Sequence, residues 1–150
     1  MRLVRSLLVL AALIPCLVVV VAFGFAIGRG RECARNRDRF QLEAVEQAFL
    51  AYRDAFGRLP DWGEGRPFHL TEDMHAVLAD GHNPMSRVFL ERPFPLVDFW
   101  GNPIWIALAR DGEDSVTVGG RRLPQPVAAW SAGPDGVNQE GLGDDLTPGW

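Results

Sequence analysis

The last twenty-one residues, from Trp130 to Trp150, concentrate the side chains that could do chemistry. Oxygen-bearing residues alternate there with glycines: Asp135, Asn138, Glu140, Asp144 and Asp145, with Gly133, Gly136, Gly141 and Gly143. Oxygen ligands in a flexible loop suit Ca²⁺, and glycine permits the positive-φ turns that direct backbone carbonyls inward. The pattern is not an EF-hand, because Val137 and Gln139 stand third and fifth counted from Asp135. Composition alone favours neither a calcium loop nor an exposed acidic tail.

The chain lacks the patterns of common catalytic sites. His69, His75 and His82 are separated by six and seven residues, which is not the spacing of a short zinc motif. No Gly-x-Ser-x-Gly sequence occurs. Asp144 and Asp145 are adjacent carboxylates in a terminal loop, and such pairs bind a cation or water more often than they act as general acid and base. We therefore predict that the protein is not an enzyme.

The elements that would position this loop begin with an apolar amino-terminal run. Residues 7–27 contain no charge and are long enough to cross a hydrocarbon core of about 30 Å, so they predict a transmembrane helix after a short basic cytoplasmic end at 1–6. A cleavable signal peptide is the alternative, because Arg2 and Arg5 precede the run and 24–26 has a small-x-small pattern.

A second helical pattern follows over 28–57. Five apolar residues recur three or four positions apart, which predicts an amphipathic helical stem with one apolar face: Leu42, Val45, Phe49, Tyr52 and Phe56. Gly57 and Pro60 supply the stop signal. This apolar face requires a cover, and the globular part at 58–150 must provide it.

The globular part alternates a short helix with short strands. Thr71 is a candidate cap for a helix that ends near Leu78. Alternating or apolar runs separated by turns predict three strands, at 104–108, 115–118 and 127–130. We therefore predict an α+β fold, in which a long amino-terminal helix, membrane-spanning and then amphipathic, packs on a small antiparallel sheet.

Charge is unevenly distributed along the chain. Residues 1–40 hold seven arginines against two acids, a net charge of +5, whereas 41–150 hold eight arginines against seventeen acids, a net charge of −9. An acidic globular part argues against nucleic acid as a partner, since phosphates require a basic surface. The arginines that follow the predicted span are placed to contact anionic headgroups of inner-membrane lipid.

Three stretches, which together span 44–150, resemble the pilin-like proteins of type IV pili and type II secretion, in particular the major pseudopilin. Residues 44–60 resemble the family's helix end, in which an apolar face leads to Tyr and then Gly-Arg-Leu-Pro. Asp98-Phe-Trp-Gly-Asn-Pro103 resembles its Asp-Pro-Trp-Gly-Asn-Pro turn, with Phe99 in place of proline. Ser131-Ala-Gly-Pro-Asp-Gly136, followed by Gly143-Asp-Asp-Leu146 and Trp150, resembles its calcium loop.

The resemblance implies a pilin-like fold and a structural calcium ion in the loop at 131–150, here named the terminal loop. The aspartates that match the family's ligands are Asp135 and Asp144, and backbone carbonyls near Ala132 and Asp145 would assist them. Such an ion would fix a segment that has little apolar content of its own.

The resemblance also implies location and partners. It places the protein in the bacterial inner membrane as a single-pass protein with its globular domain in the periplasm, although five arginines after the span against two before it favour the opposite orientation. The partners would be other pilin-like subunits or secretion-system components, including a homo-oligomer. Residues 5–10 lack the glycine and glutamate of the prepilin signature. A membrane-tethered periplasmic binding module that does not form a fibre is therefore the alternative function.

Overall fold

One long helix dominates the computed structural model, which describes residues 32–90 and 96–150. The chain divides into two compact units, 1–35 and 36–150. Helix α1 covers 32–56 and ends at Gly57, whose φ is 74° and whose N–H donates to the carbonyl of Arg53 at 2.7 Å. A left-handed residue after the last turn is a common helix stop, and glycine adopts it without steric cost. The predicted helix end is thereby confirmed.

The remaining elements are short. After a 3₁₀ turn at Gly63–Gly65 come β1 (Phe68–His69), α2 (Glu72–Ala79), β2 (Ile104–Leu108), β3 (Val116–Val118), β4 (Arg121–Leu123), β5 (Val127–Ser131) and a 3₁₀ turn at Gly133–Asp135. Thr71 caps α2, its hydroxyl accepting a hydrogen bond from the N–H of Met74 at 3.3 Å. One antiparallel sheet has the order β1-β2-β5, and β3 pairs with β4 in a second.

The α+β prediction of a long helix with small antiparallel sheets is confirmed. The three predicted strands correspond to β2, β3 and β5 within one residue at each end. Two strands were missed, because β1 has only two residues and β4 carries two arginines that offer no apolar alternation. These short strands form only because a neighbouring strand is present to pair with them.

The alternation of side chains along β2 separates two apolar layers. Ile104, Ile106 and Leu108 face one side and are buried together with Val45 and Phe49 of α1. This is the cover that the apolar face of the helix requires, and it forms the main core of the globular part.

The opposite side of the sheet is built around tryptophans. Trp105 of β2 lies directly across from Trp130 of β5, and their rings stack with centroids 6.3 Å apart. Trp130 is fully buried beneath the β3–β4 hairpin, and Trp150 meets it edge to face at 6.3 Å. The last residue of the chain is therefore part of this second layer.

The predicted single-pass inner-membrane location, with the globular domain in the periplasm, is contradicted. Over 32–90 and 96–150, no helix is sufficiently long and apolar to span a bilayer. The physical reason in α1 is its charge, since Arg37, Asp38 and Arg53 interrupt any continuous apolar stretch. The predicted span at 7–27, the basic end at 1–6 and the first four residues of the predicted stem lie outside the described residues.

Two phenylalanines on α1 test whether its apolar face drives folding. Phe49 has no exposed surface, whereas the side chain of Phe40 is 70% exposed. We expect Phe49→Ala to lower the free energy of unfolding by about 3–5 kcal/mol, because it leaves a cavity in the core. Phe40→Ala is the matched control and should change stability by less than about 0.5 kcal/mol in chemical denaturation. Equal effects would contradict the assigned packing.

Candidate functional site

The terminal loop is closed at its base by a pair of backbone hydrogen bonds. The N–H of Ser131 donates to the carbonyl of Leu146, and the N–H of Leu146 donates to the carbonyl of Ser131, both at 3.0 Å. Ser131 is the last residue of β5, so the loop begins and ends against the sheet. The fourteen residues between these two are held as one closed segment.

The first and last parts of the terminal loop approach each other closely at Gly133 and Asp144. Gly133 has a φ of 64°, and a Cβ at this position would collide with the carbonyl oxygen of Asp144. Only glycine accommodates both the backbone conformation and the contact. The buried Ala132 and the half-buried Asp144 therefore lie on facing arms of one narrow loop.

Asp145 is the central carboxylate of this loop. Its Oδ2 accepts hydrogen bonds from the N–H groups of Gln139 at 2.9 Å and Gly141 at 2.8 Å. Its Oδ1 is buried and has no hydrogen-bond partner. Burial raises the pKa of Asp145, the charges of Asp144 and Asp135 raise it further, and the two backbone hydrogen bonds oppose the shift. An electron-rich oxygen is therefore buried where a cation would satisfy it.

The other predicted ligands differ in how they are engaged. Asp135 is exposed, and its Oδ1 accepts from the N–H of Val137 at 2.8 Å. Asn138 accepts from the indole N–H of Trp130 and from the backbone N–H of Glu140, both at 2.9 Å. Glu140 in turn accepts from the N–H of Gly119 at 3.0 Å. Asn138 and Glu140 thus hold the loop in shape.

The donor set fits a calcium ion in its chemistry. Within the described part of the chain, no group of three or more His, Cys, Asp or Glu side chains is arranged to hold a metal. The predicted calcium site would therefore depend on backbone carbonyls, with Asp135, Asp144 and Asp145 adding negative charge nearby. Ca²⁺ accepts such mixed oxygen ligands in irregular geometry. The unpartnered Oδ1 of Asp145 is the observation that supports the fit.

A turn at 98–103, here named the Asp98 turn, is bound to the base of the loop. Oδ1 of Asp98 accepts from the N–H groups of Trp100 at 2.9 Å and Asn102 at 2.7 Å, and Oδ2 accepts from the hydroxyl of Ser131. The side-chain amide of Asn102 donates to Oδ2 of Asp98 at 3.3 Å and to the carbonyl of Gly133 at 2.7 Å. Two motifs that are thirty residues apart in sequence thus form one polar assembly.

Sequence reasoning missed a carboxylate that connects helix, sheet and chain end. Oε1 of Glu46 on α1 accepts from the N–H of Ala129 at 3.0 Å, the indole N–H of Trp150 at 3.1 Å and the amide of Gln125 at 3.4 Å. Burial raises its pKa, and these hydrogen bonds oppose the shift. The sequence did indicate that Glu46 is unusual. It lies between Leu42 and Phe49 at helical spacing and so falls on the apolar face of α1.

A polar cleft of about 700 Å³ lies between the end of α1 and the turn after β2. Its charged residues are of both signs: Arg53, Arg58 and Arg110, with Asp54, Asp61, Asp111, Glu113 and Asp114. Arg53 forms an ion pair with Asp114 across it at 3.2 Å. Sequence patterns did not indicate this cleft, and its mixed charges select no single class of ligand.

Comparisons of this chain with protein-family models, curated proteins and solved structures found no match.

Two substitutions of Glu46 separate its hydrogen bonds from its charge. The pKa of Glu46 is raised above the ordinary 4.5, so the folded state binds the proton more tightly than the unfolded state does. The stability that this proton contributes at low pH is therefore lost as pH rises through the folded-state pKa of Glu46. Glu46→Gln keeps an acceptor and should reduce the loss of stability between about pH 4.5 and neutral pH. Glu46→Ala leaves buried donors unpaired and should cost about 1–3 kcal/mol.

Urea unfolding of the full chain across this pH range provides the measurement. The Ala variant is the control for the acceptor role, since it also lacks the charge. If Gln and Ala destabilise the protein equally, the hydrogen bonds of Glu46 do not carry the role assigned to them.

Proposed function

We propose that this chain is a non-enzymatic structural protein of the pilin-like class, resembling the major pseudopilin of type II secretion systems, and that a calcium ion stabilises its terminal loop. The observation that carries the proposal is the contact between the Asp98 turn and the terminal loop, the two segments that resemble this class. The side-chain amide of Asn102 in the turn donates to the carbonyl of Gly133 in the loop. A long helix packed on a small sheet, with its carboxyl-terminal loop returned to the edge of that sheet, is consistent with this class.

A calcium ion would supply positive charge beside Asp145. Asp135, Asp144 and Asp145 are close enough for the first two to raise the pKa of the third. Asp145 holds the backbone of 139–141 through Oδ2, which leaves the buried Oδ1 available to bind an ion. Binding would neutralise this repulsion and satisfy the buried oxygen, so the ion would stabilise only the folded loop. Its role is structural.

The second candidate function is a binding module that has the same fold and does not form fibres. The observation behind this candidate is the polar cleft at the end of α1, a concave surface of about 700 Å³ lined by charged side chains of both signs. The partners under the first candidate are other pilin-like subunits or secretion-system components, including a second copy of this chain.

The calcium site is tested by Asp145→Asn. The asparagine oxygen can still accept from Gln139 and Gly141, whereas its NH₂ group replaces the oxygen that would bind the ion. We expect calcium at 100 times its Kd to stabilise the wild-type chain by about 2.7 kcal/mol and to have no effect on the variant. Thermal unfolding of the full chain with calcium and with chelator measures both.

The matched control for this experiment is Asp111→Asn. Asp111 is an exposed aspartate in the turn after β2, so its variant should retain the full calcium response. The site would be refuted if calcium did not stabilise the wild-type chain, or if it stabilised the Asp145→Asn variant as much as the wild type. Loss of the response in Asp111→Asn would mean that calcium acts through general charge.

Sedimentation velocity of the full chain distinguishes the two candidate functions. A structural subunit of a fibre should self-associate as concentration rises, whereas a binding module should stay monomeric. Calcium should be present throughout, so that loss of the loop does not mask association. A strictly monomeric chain would favour the binding module.

A further inference from the structure

We propose that Asp38 and Asp98 form a proton-dependent latch, which holds α1 against the Asp98 turn while Asp38 carries a proton and weakens when Asp38 ionises. This latch is separate from the calcium site and does not depend on it.

The burial of Asp38 is the first observation. Asp38 lies on α1 with 1% of its surface exposed. Its Oδ2 accepts one long hydrogen bond, from the N–H of Phe99 at 3.3 Å, and its Oδ1 is buried without a hydrogen-bond partner. A charged carboxylate with so few donors is costly in a water-excluded position.

The second observation is the asymmetry between the two carboxyl groups. Asp98 accepts hydrogen bonds from two backbone N–H groups, the hydroxyl of Ser131 and the amide of Asn102. All of these groups are donors, so both oxygens of Asp98 are used as acceptors. Asp38 has a single donor, so of the two carboxyl groups it is the one with a buried oxygen that no donor stabilises.

The charged groups that face Asp38 are Asp98 of the turn and Arg37 of its own helix. Burial raises the pKa of Asp38 most, the charge of Asp98 raises it further, and the Phe99 hydrogen bond and Arg37 lower it. The guanidinium of Arg37 lies over the ring of Phe99 at 5.7 Å, so it contacts the turn as well as the helix.

The direction of the effect follows from proton linkage. When α1 lies against the Asp98 turn (the closed state), Asp38 binds its proton more tightly than when the two separate (the open state). In the open state Asp38 meets water and titrates near its ordinary pKa of 3.8. The contact is therefore strongest at low pH and loses stability as pH rises through the closed-state pKa. Each unit of upward shift corresponds to a tenfold change in the closed-to-open ratio.

Two measurements on the full chain test the latch. Carboxyl NMR of Asp38 against pH should show a midpoint above 3.8. The protection factor of the Phe99 amide in hydrogen exchange should fall as pH rises from about 4 to about 8, by about tenfold for each unit by which the measured midpoint exceeds 3.8. Asp38→Asn keeps an acceptor for Phe99 and removes the titration, so its protection factor should not change with pH.

Glu43→Gln is the matched control, because it removes an exposed carboxylate of α1 and should leave the pH dependence at Phe99 intact. A midpoint of Asp38 at or below 3.8 would overturn the proposal. So would an Asp38→Asn variant that loses protection with pH as the wild type does. Lower protection in this variant at every pH, with the slope retained, would mean that Asp38 is only a packing residue.

Discussion

The packing of α1 on the three-stranded sheet is the interaction on which the rest of the structure depends. Val45 and Phe49 lie fully buried in one apolar cluster with Ile106 of the central strand β2. This packing places α1 beside β5 and beside the Asp98 turn. It thereby brings Glu46 to the N–H of Ala129 and Asp38 to the N–H of Phe99. The positions of both carboxylates follow from a hydrophobic contact.

Carboxylates then satisfy backbone donors that the small sheet leaves unpaired. Within residues 32–90 and 96–150, the outer edge of β5 has no strand beside it, and there Glu46 accepts from Ala129 while Leu146 pairs with Ser131. Asp98 and Asp145 similarly close a turn and a loop around backbone N–H groups. Each such group costs desolvation, which raises the pKa of Glu46 and Asp145. A cation near Asp145 would offset part of this cost.

Local patterns predicted the elements, and long-range contacts decided the details of the site. Leu42 to Phe56 at helical spacing, Thr71 as a cap and the apolar run of β2 were all readable, since each rests on neighbours in sequence. The roles of Asp38 and Glu46 were not predicted, because their partners lie sixty or more residues away. Composition identified the terminal loop, yet only the fold distinguishes Asp145 from Asn138 and Glu140, whose side chains hold the backbone.

The central claim is that the terminal loop is a calcium site built on Asp145, and calorimetric titration of the full chain with Ca²⁺ and with Mg²⁺ tests it most directly. Ca²⁺ accepts six to eight oxygens in irregular geometry, whereas Mg²⁺ requires a near-octahedral set. The account predicts one Ca²⁺ per chain, bound more tightly than Mg²⁺. An absence of binding, or equal affinity for the two ions, would contradict it and leave the loop as an acidic segment held by its own hydrogen bonds.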